Sequence, residues 1–182
     1  VRSAETGLRY ARTSRFRASL TGFASWLDEE LVFDSATRSS MPAPASSRAG
    51  VEGAVGTGWI LDASTNSHKV LKTGASASYT RAVFTGTDAR FAAGDAVPYV
   101  PRVVTRGDIE LRSKVKRVME DRALWWRAGI GIEGLADVAA SPTEAGRNTF
   151  FVDARASIEL RGIELGIIGT NLLDARNVDA QY

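Results

Sequence analysis

FFVDARASIELRGIELGIIGTNLLDA, from Phe150 to Ala175, is the stretch on which the fold turns. Its even positions are Phe150, Val152, Ala154, Ala156, Ile158 and Leu160. After Phe151, its odd positions are Asp153, Arg155, Ser157, Glu159 and Arg161. A period of two with one apolar and one charged side is a β-strand with two unlike faces. Arg161-Gly162 then makes a tight turn. Ile163, Leu165 and Ile167 against Glu164 carry a return strand that ends near Thr170. The pair reads as a hairpin. Its strands, of about ten residues, exceed the usual 5–6 or so. They suit a tilted strand crossing a bilayer, which needs about 9–11.

The same alternation runs along the chain. Leu8 and Tyr10 oppose Arg9. Phe16, Ala18, Leu20, Ala24 and Trp26 oppose Arg17, Ser19, Thr21 and Ser25. Val51, Val55 and Trp59 oppose Glu52. Leu71, Ala75, Ala77, Tyr79 and Val83 oppose Lys72, Ser76, Ser78 and Thr80. Val103, Ile109 and Leu111 oppose Arg102, Arg106, Asp108, Glu110 and Arg112. Leu124, Trp126, Ala128, Ile130 and Ile132 oppose Arg127 and Glu133. About eight strands result, and small outer-membrane barrels start at that number.

The charges fall almost wholly on the polar faces. Arg12 and Arg81 are the exceptions, both at strand ends. A cation facing lipid costs about 2–4 kcal/mol at the midplane and about 0–1 near the interface, so this distribution suits a lipid-facing sheet. Trp26, Trp59, Trp125, Trp126 and Phe150 fall at strand ends, where such barrels wear aromatic girdles. Connections alternate in length. Arg12 to Arg15 and Arg161-Gly162 are short, and Ile60–Lys69 and Ser113–Asp121 intermediate. Asp34–Ser47, Thr85–Pro101 and Leu135–Thr149 are long. Short turns on the periplasmic side and long loops outside are the outer-membrane arrangement.

Composition sets bounds. The chain has 182 residues, a formal net charge of +2, no cysteine and one histidine, His68. It fits one domain, residues 1–182. Disulfides, thiolate sites and His-pair zinc motifs are excluded. The charge is too mild and too scattered to imply nucleic acid. No apolar run is long enough for a transmembrane helix. The start at Val1 without a signal peptide reads as an internal piece of a longer protein.

Three stretches resemble the C-terminal half of the barrel of TonB-dependent outer-membrane receptors. ETGLRY (Glu5 to Tyr10) is similar to a recurring glutamate-x-glycine-aromatic strand. SYTRAVFTG…DAVPYVPR (Ser78 to Arg102) is similar to a strand, long loop and proline-rich re-entry. IIGTNLLDARNVDAQY (Ile167 to Tyr182) is similar to the penultimate strand with its Asn-Leu-Phe-Asp-like end. The resemblance implies an all-β, antiparallel up-and-down transmembrane barrel. About eight strands of a larger, 22-strand one are present here. It implies a location in the Gram-negative outer membrane and TonB-driven uptake of a small molecule, with iron-siderophore the default. The partners it implies are outer-membrane lipid, the receptor's own plug domain, and TonB through that plug. The chain departs from the pattern. It carries no plug, no Ton box and no closing strand, Leu173 stands for the usual Phe, and Tyr182 is not read as the barrel terminus.

Chemical motifs are sparse. GIGIEG (Gly129 to Gly134) fits G-x-G-x-x-G, but no helix opens after it, so no dinucleotide cofactor is expected. LDEE (Leu27 to Glu30) fits Ca²⁺ ligation or an acid/base pair and is read as a solvated strand top. RSKVKR (Arg112 to Arg117), beside Glu120 and Asp121, is read as a turn, and His68 as a solvated turn residue. No nucleophile and base assemble, so no enzyme, cofactor or metal is expected. Candidate substrate contacts lie in the long loops: Arg38, Arg48, Asp88, Arg90, Asp95, Tyr99 and Arg147. Candidate lumen- or plug-facing residues are Arg102, Arg106, Asp108, Glu110, Arg112, Arg127, Glu133, Asp153, Arg155 and Glu159. The rival expectation is a self-contained eight-stranded barrel serving as anchor or adhesin. Its interior is barely wide enough for side chains, which so many inward charges would crowd.

Overall fold

The computed structural model describes residues 1–12, 15–34, 37–63, 68–119, 122–142 and 145–174. Ten strands follow one another: β1 Arg2–Arg12, β2 Phe16–Leu27, β3 Glu30–Asp34, β4 Ser39–Ala43, β5 Ser46–Asp62, β6 Lys69–Phe84, β7 Val103–Met119, β8 Arg122–Val138, β9 Arg147–Leu160 and β10 Ile163–Gly169. The fold is all-β and antiparallel. Eight strands form one meandering sheet, β1-β2-β5-β6-β7-β8-β9-β10, and β3-β4 is a separate hairpin. Among the described residues β1 and β10 are its two edges. No helix is long and apolar enough to cross a membrane, which says nothing of strands.

Register converts the alternation into two surfaces. Leu20 faces Gly53, which faces Ala77, then Thr105, Gly134 and Phe150. One row along, Ala18, Val55, Ala75, Gly107, Ile132 and Val152 align; next come Phe16, Thr57, Thr73, Ile109, Ile130 and Ala154. Every apolar residue of these rows therefore shares one side of the sheet, as residues two apart on a strand must. A one-residue slip in any pairing would turn that strand's apolar set to the charged side, so the pattern itself pins the register. Among the described side chains, charges on the apolar face are confined to its margins: Arg2 and Arg12 at the two ends of β1, Asp62 and Lys69 at the β5–β6 turn, and Arg81 near the end of β6. The register thus adds Arg2, Asp62 and Lys69 to the two charges read from sequence.

Among the described residues no protein layer covers the apolar face. Ile109 is 57% exposed and Ile130 59%. Burial is instead concentrated where the long connections gather. Phe84, 1% exposed, packs with Val32, Ala43, Ala82 and Val97, and Phe91 and Val100 flank them. The Phe84 and Phe91 rings stack at 4.5 Å. Segment 94–102 is stitched to the sheet by Phe84 N–H to Asp95 O, Val97 N–H to Ala82 O and Arg102 N–H to Ala136 O. All long connections leave from this end, and all short turns from the other. At the last turn Arg161 and Gly162 both take positive φ (57° and 79°), the I′ geometry that matches strand twist.

Several expectations are corrected. The main strands reach 17 residues in β5, β7 and β8, beyond the ten or so expected, because the pairing of neighbouring strands continues past the alternating apolar stretch. RSKVKR is not a turn: Arg112–Arg117 lies inside β7 and pairs with β8. Alternating Lys and Arg satisfy a strand as well as a loop. Glu120, Asp121 and Tyr182 lie outside the described residues. The 34–47 connection is not plain loop, since SSMPA pairs with ELVFD as β4 with β3. LDEE is not a uniformly solvated strand top. Asp28 and Glu29 are exposed, but Glu30 is 8% exposed and accepts hydrogen bonds from Ser46 Oγ (2.5 Å) and Arg48 Nη2 (2.8 Å). Trp125 lies on the charged face, opposite Lys114 and Glu159, and only Trp126 joins the apolar face.

Candidate functional site

The charged face of β6–β10 is a lattice of ion pairs. Glu110, from β7, lies between two arginines: Arg155 Nη2 at 2.9 Å and Arg127 Nε at 3.8 Å. Arg127 also reaches Glu164 at 3.5 Å. Arg112 pairs with Glu159 at 3.1 Å, with its guanidinium 4.4 Å from the Trp125 ring centroid. Arg106 holds Glu133 at 3.2 Å. Asp153 accepts the Asn171 N–H at 2.8 Å, tying the chain beyond β10 back to β9. Arg102 stands just before β7 and pairs with Asp137 at 2.8 Å. The structure thus joins the expected lumen-facing residues pairwise, and Asp108 leans over Gly74. Pairs of this kind are worth about 0.2–1 kcal/mol each on a wet sheet face.

His68 is half-buried rather than simply solvated. Its ring meets Trp125 edge-on at 6.0 Å, and its carbonyl accepts the Lys114 N–H.

The loop candidates mostly hold the loops together. Asp88 accepts the N–H groups of Arg90 (2.7 Å) and Phe91 (2.8 Å). These two bonds hold its carboxyl below the usual carboxylate range. Arg90 donates to the Pro42 carbonyl at 2.6 Å, fastening the 85–101 loop to β4. Asp95 accepts from Ala92 N–H. Tyr99, at φ 60°, meets Phe33 edge-on at 6.4 Å and bonds Ala139 through its N–H. Arg48 is occupied by Glu30. Arg38, at φ 51° in the β3–β4 turn, and Arg147, at the start of β9, are exposed and stand apart. A pocket of about 480 Å³ opens at this end between Tyr79, Arg81, Asp95, Arg102 and Pro142.

A larger depression, about 1010 Å³, was not foreseen from sequence. It lies towards the short-turn end of the charged face and is lined by Arg9, Arg17, His68, Lys72, Arg106 and Asp108 above a floor that includes Gly56, Gly58 and Gly74. The signal available in sequence was the spacing Gly56-Thr57-Gly58 inside a strand pattern, since glycine there marks close approach of another group. Among the described residues no cluster of three or more histidines and carboxylates is placed to hold a metal ion. The chain matches no family model, no curated protein and no solved structure.

Proposed function

We propose that this sheet is part of the wall of an outer-membrane β-barrel, and that the barrel is a TonB-dependent receptor taking up a small molecule. One observation carries the membrane reading: the apolar face is an uncharged band bounded at both ends by exposed aromatics. Phe16 and Trp59, beside a half-buried Trp126, mark the short-turn end, and Trp26, Tyr79 and Phe150 the long-connection end. A span of about ten residues, such as Phe16 to Trp26, at about 3.3 Å each and tilted by about 40°, projects to about 25 Å. That is the height of the apolar band on outer-membrane barrels. A soluble protein does not leave an apolar surface of this extent uncovered.

In this reading the opposite face lines the lumen, where its ion pairs stay wet and meet the plug. The long connections face outward and capture the substrate, and the short turns face the periplasm. The receptor assignment rests on the three sequence resemblances, and the iron-siderophore class on them alone. The rival, a closed eight-stranded anchor, needs β1 to pair with β10. In its narrow interior the arginines and glutamates of β7–β9 would have to share space with those of β1–β6.

The test is uptake by cells with and without the gene, using iron-chelates, cobalamin and oligosaccharides, each with and without a protonophore. The receptor reading expects deletion to abolish one high-affinity, protonophore-sensitive uptake. If the protein sits in the outer membrane yet no energised uptake depends on it, the anchor reading replaces it.

A further inference from the structure

The two halves of the charged face differ in a way the wall reading does not require. On β7–β10 almost every cation has a carboxylate within reach. In the depression on β1–β6 the balance fails. Among the described residues Arg9, Arg17 and Lys72 have no ion-pair or hydrogen-bond partner, while Arg106 is already engaged by Glu133; Asp108 lines the depression, and Glu110, opposite Lys72 on β7, is taken up by Arg127 and Arg155.

Glycines shape this half. β5 separates β2 from β6, and Arg17 faces Gly56 while Lys72 faces Gly58. A Cβ on Gly56 would lie 3.3 Å from Arg17 Nε, and one on Gly58 3.9 Å from Lys72 Cγ. Both cationic side chains therefore lie over the same short stretch of β5, reached from opposite neighbours. Strands are about 4.8 Å apart, so the two backbones stand about 10 Å from each other with only Gly56 and Gly58 on this face between them, Thr57 pointing to the apolar side. With no side chain on β5 to part them, the two cationic side chains can contact one small anion from both sides. Arg offers a planar fork of donors and Lys a mobile point charge, the usual pair for phosphate and carboxylate oxygens.

We infer that the depression centred on Gly56 and Gly58 binds a small multivalent anion, a phosphate- or polycarboxylate-bearing molecule, between Arg17 and Lys72, with Arg9 adding charge at its rim. This goes beyond uptake as proposed above and does not depend on it, because binding is measurable whatever the sheet encloses.

The experiment titrates the full-length protein in detergent, at fixed ionic strength, with inorganic pyrophosphate and separately with citrate. The proteins compared are the wild type, the double variant R17Q/K72Q and the control R2Q, an exposed cation at the other end. The expected result is saturable binding of at least one probe, weakened about tenfold or more in R17Q/K72Q and unchanged in R2Q. Whichever probe binds tighter tells phosphate from carboxylate chemistry. Arg17 and Lys72 are both exposed, so the double variant keeps the fold; an unchanged heat-unfolding midpoint checks this. Absence of binding by the wild type would overturn the inference. Equal weakening in R2Q would also overturn it, since bulk charge and not this depression would then hold the anion.

Discussion

Phe84 and Ile130 are both large apolar side chains on strands of one sheet, and the chain treats them in opposite ways. Phe84 sits where the 85–101 loop and the β3–β4 hairpin fold over the sheet, and it is 1% exposed. Ile130 sits mid-sheet on the apolar face and is 59% exposed. The first is covered by its own chain. The second has only Ile109, Ala154 and the rows beside them, all in the same plane. The long-connection end is thus covered by the chain's own loops, and the middle of the sheet leaves its apolar side chains exposed. On the proposed reading, the first part folds on protein contacts and the second on its surroundings.

The largest effect expected is at the protein-covered site. Phe84→Ala removes the centre of the loop core and should cost about 3–5 kcal/mol, the usual range for a buried phenylalanine. The loss should be local. Amide exchange at residues 85–101 and in β3–β4 should quicken, with the β5–β6 ladder unchanged. Slow exchange persisting in that loop would show that something other than Phe84 holds it.

Next comes the apolar face. On the proposed membrane reading, Ile130→Lys should destabilise the protein in lipid vesicles by about 2–4 kcal/mol, and Ser47→Lys, at the long-connection end of the same face, by about 0–1. Equal costs would mean that depth in a membrane is not what distinguishes the two positions.

On the charged face, Glu110→Gln leaves Arg127 and Arg155 without their shared carboxylate and should cost about 1–2 kcal/mol. Glu133→Gln frees a mostly exposed Arg106 and should cost under about 0.5 kcal/mol. A double-mutant cycle with Arg155→Gln checks that Glu110 and Arg155 are coupled.

The smallest effect concerns pH. Asp88 has a lowered folded-state pKa, so the order it confers is fully present above its unfolded value and is lost as pH falls through the lower folded value, below about pH 4. Amide shifts of Arg90 and Phe91 should change in that range, and Asp88→Asn should abolish the change. An unaltered titration in the variant would assign it to another group.

The alternation was legible because period two survives any loop: Val152, Ala154, Ala156 and Ile158 show their common side without a partner strand. The charged face was legible for the same reason, residue by residue, though not its pairings, which join Glu110 of β7 to Arg155 of β9 across an intervening strand. Three features were hidden. RSKVKR has no apolar side to reveal its pleat. Met41 and Pro42 give β4 no pattern to read. Glu30 looks solvated in LDEE and becomes buried only when Ser46 and Arg48 arrive from another strand. The glycine-floored depression was hidden too, because it needs β2, β5 and β6 side by side. Local period reads locally, whereas burial and charge balance are set by neighbours distant in sequence.

The central claim, that the apolar face meets lipid, is tested most directly by nitroxide labels along β5 of the full-length protein in membranes. Labels at Val51, Glu52, Ala54 and Val55 are compared by collision with oxygen and with a water-soluble nickel chelate. The account predicts that Val51 and Val55 collide with oxygen and are shielded from nickel, and that Glu52 and Ala54 reverse this. Nickel reaching Val51 and Val55 as freely as Glu52 and Ala54 would contradict it.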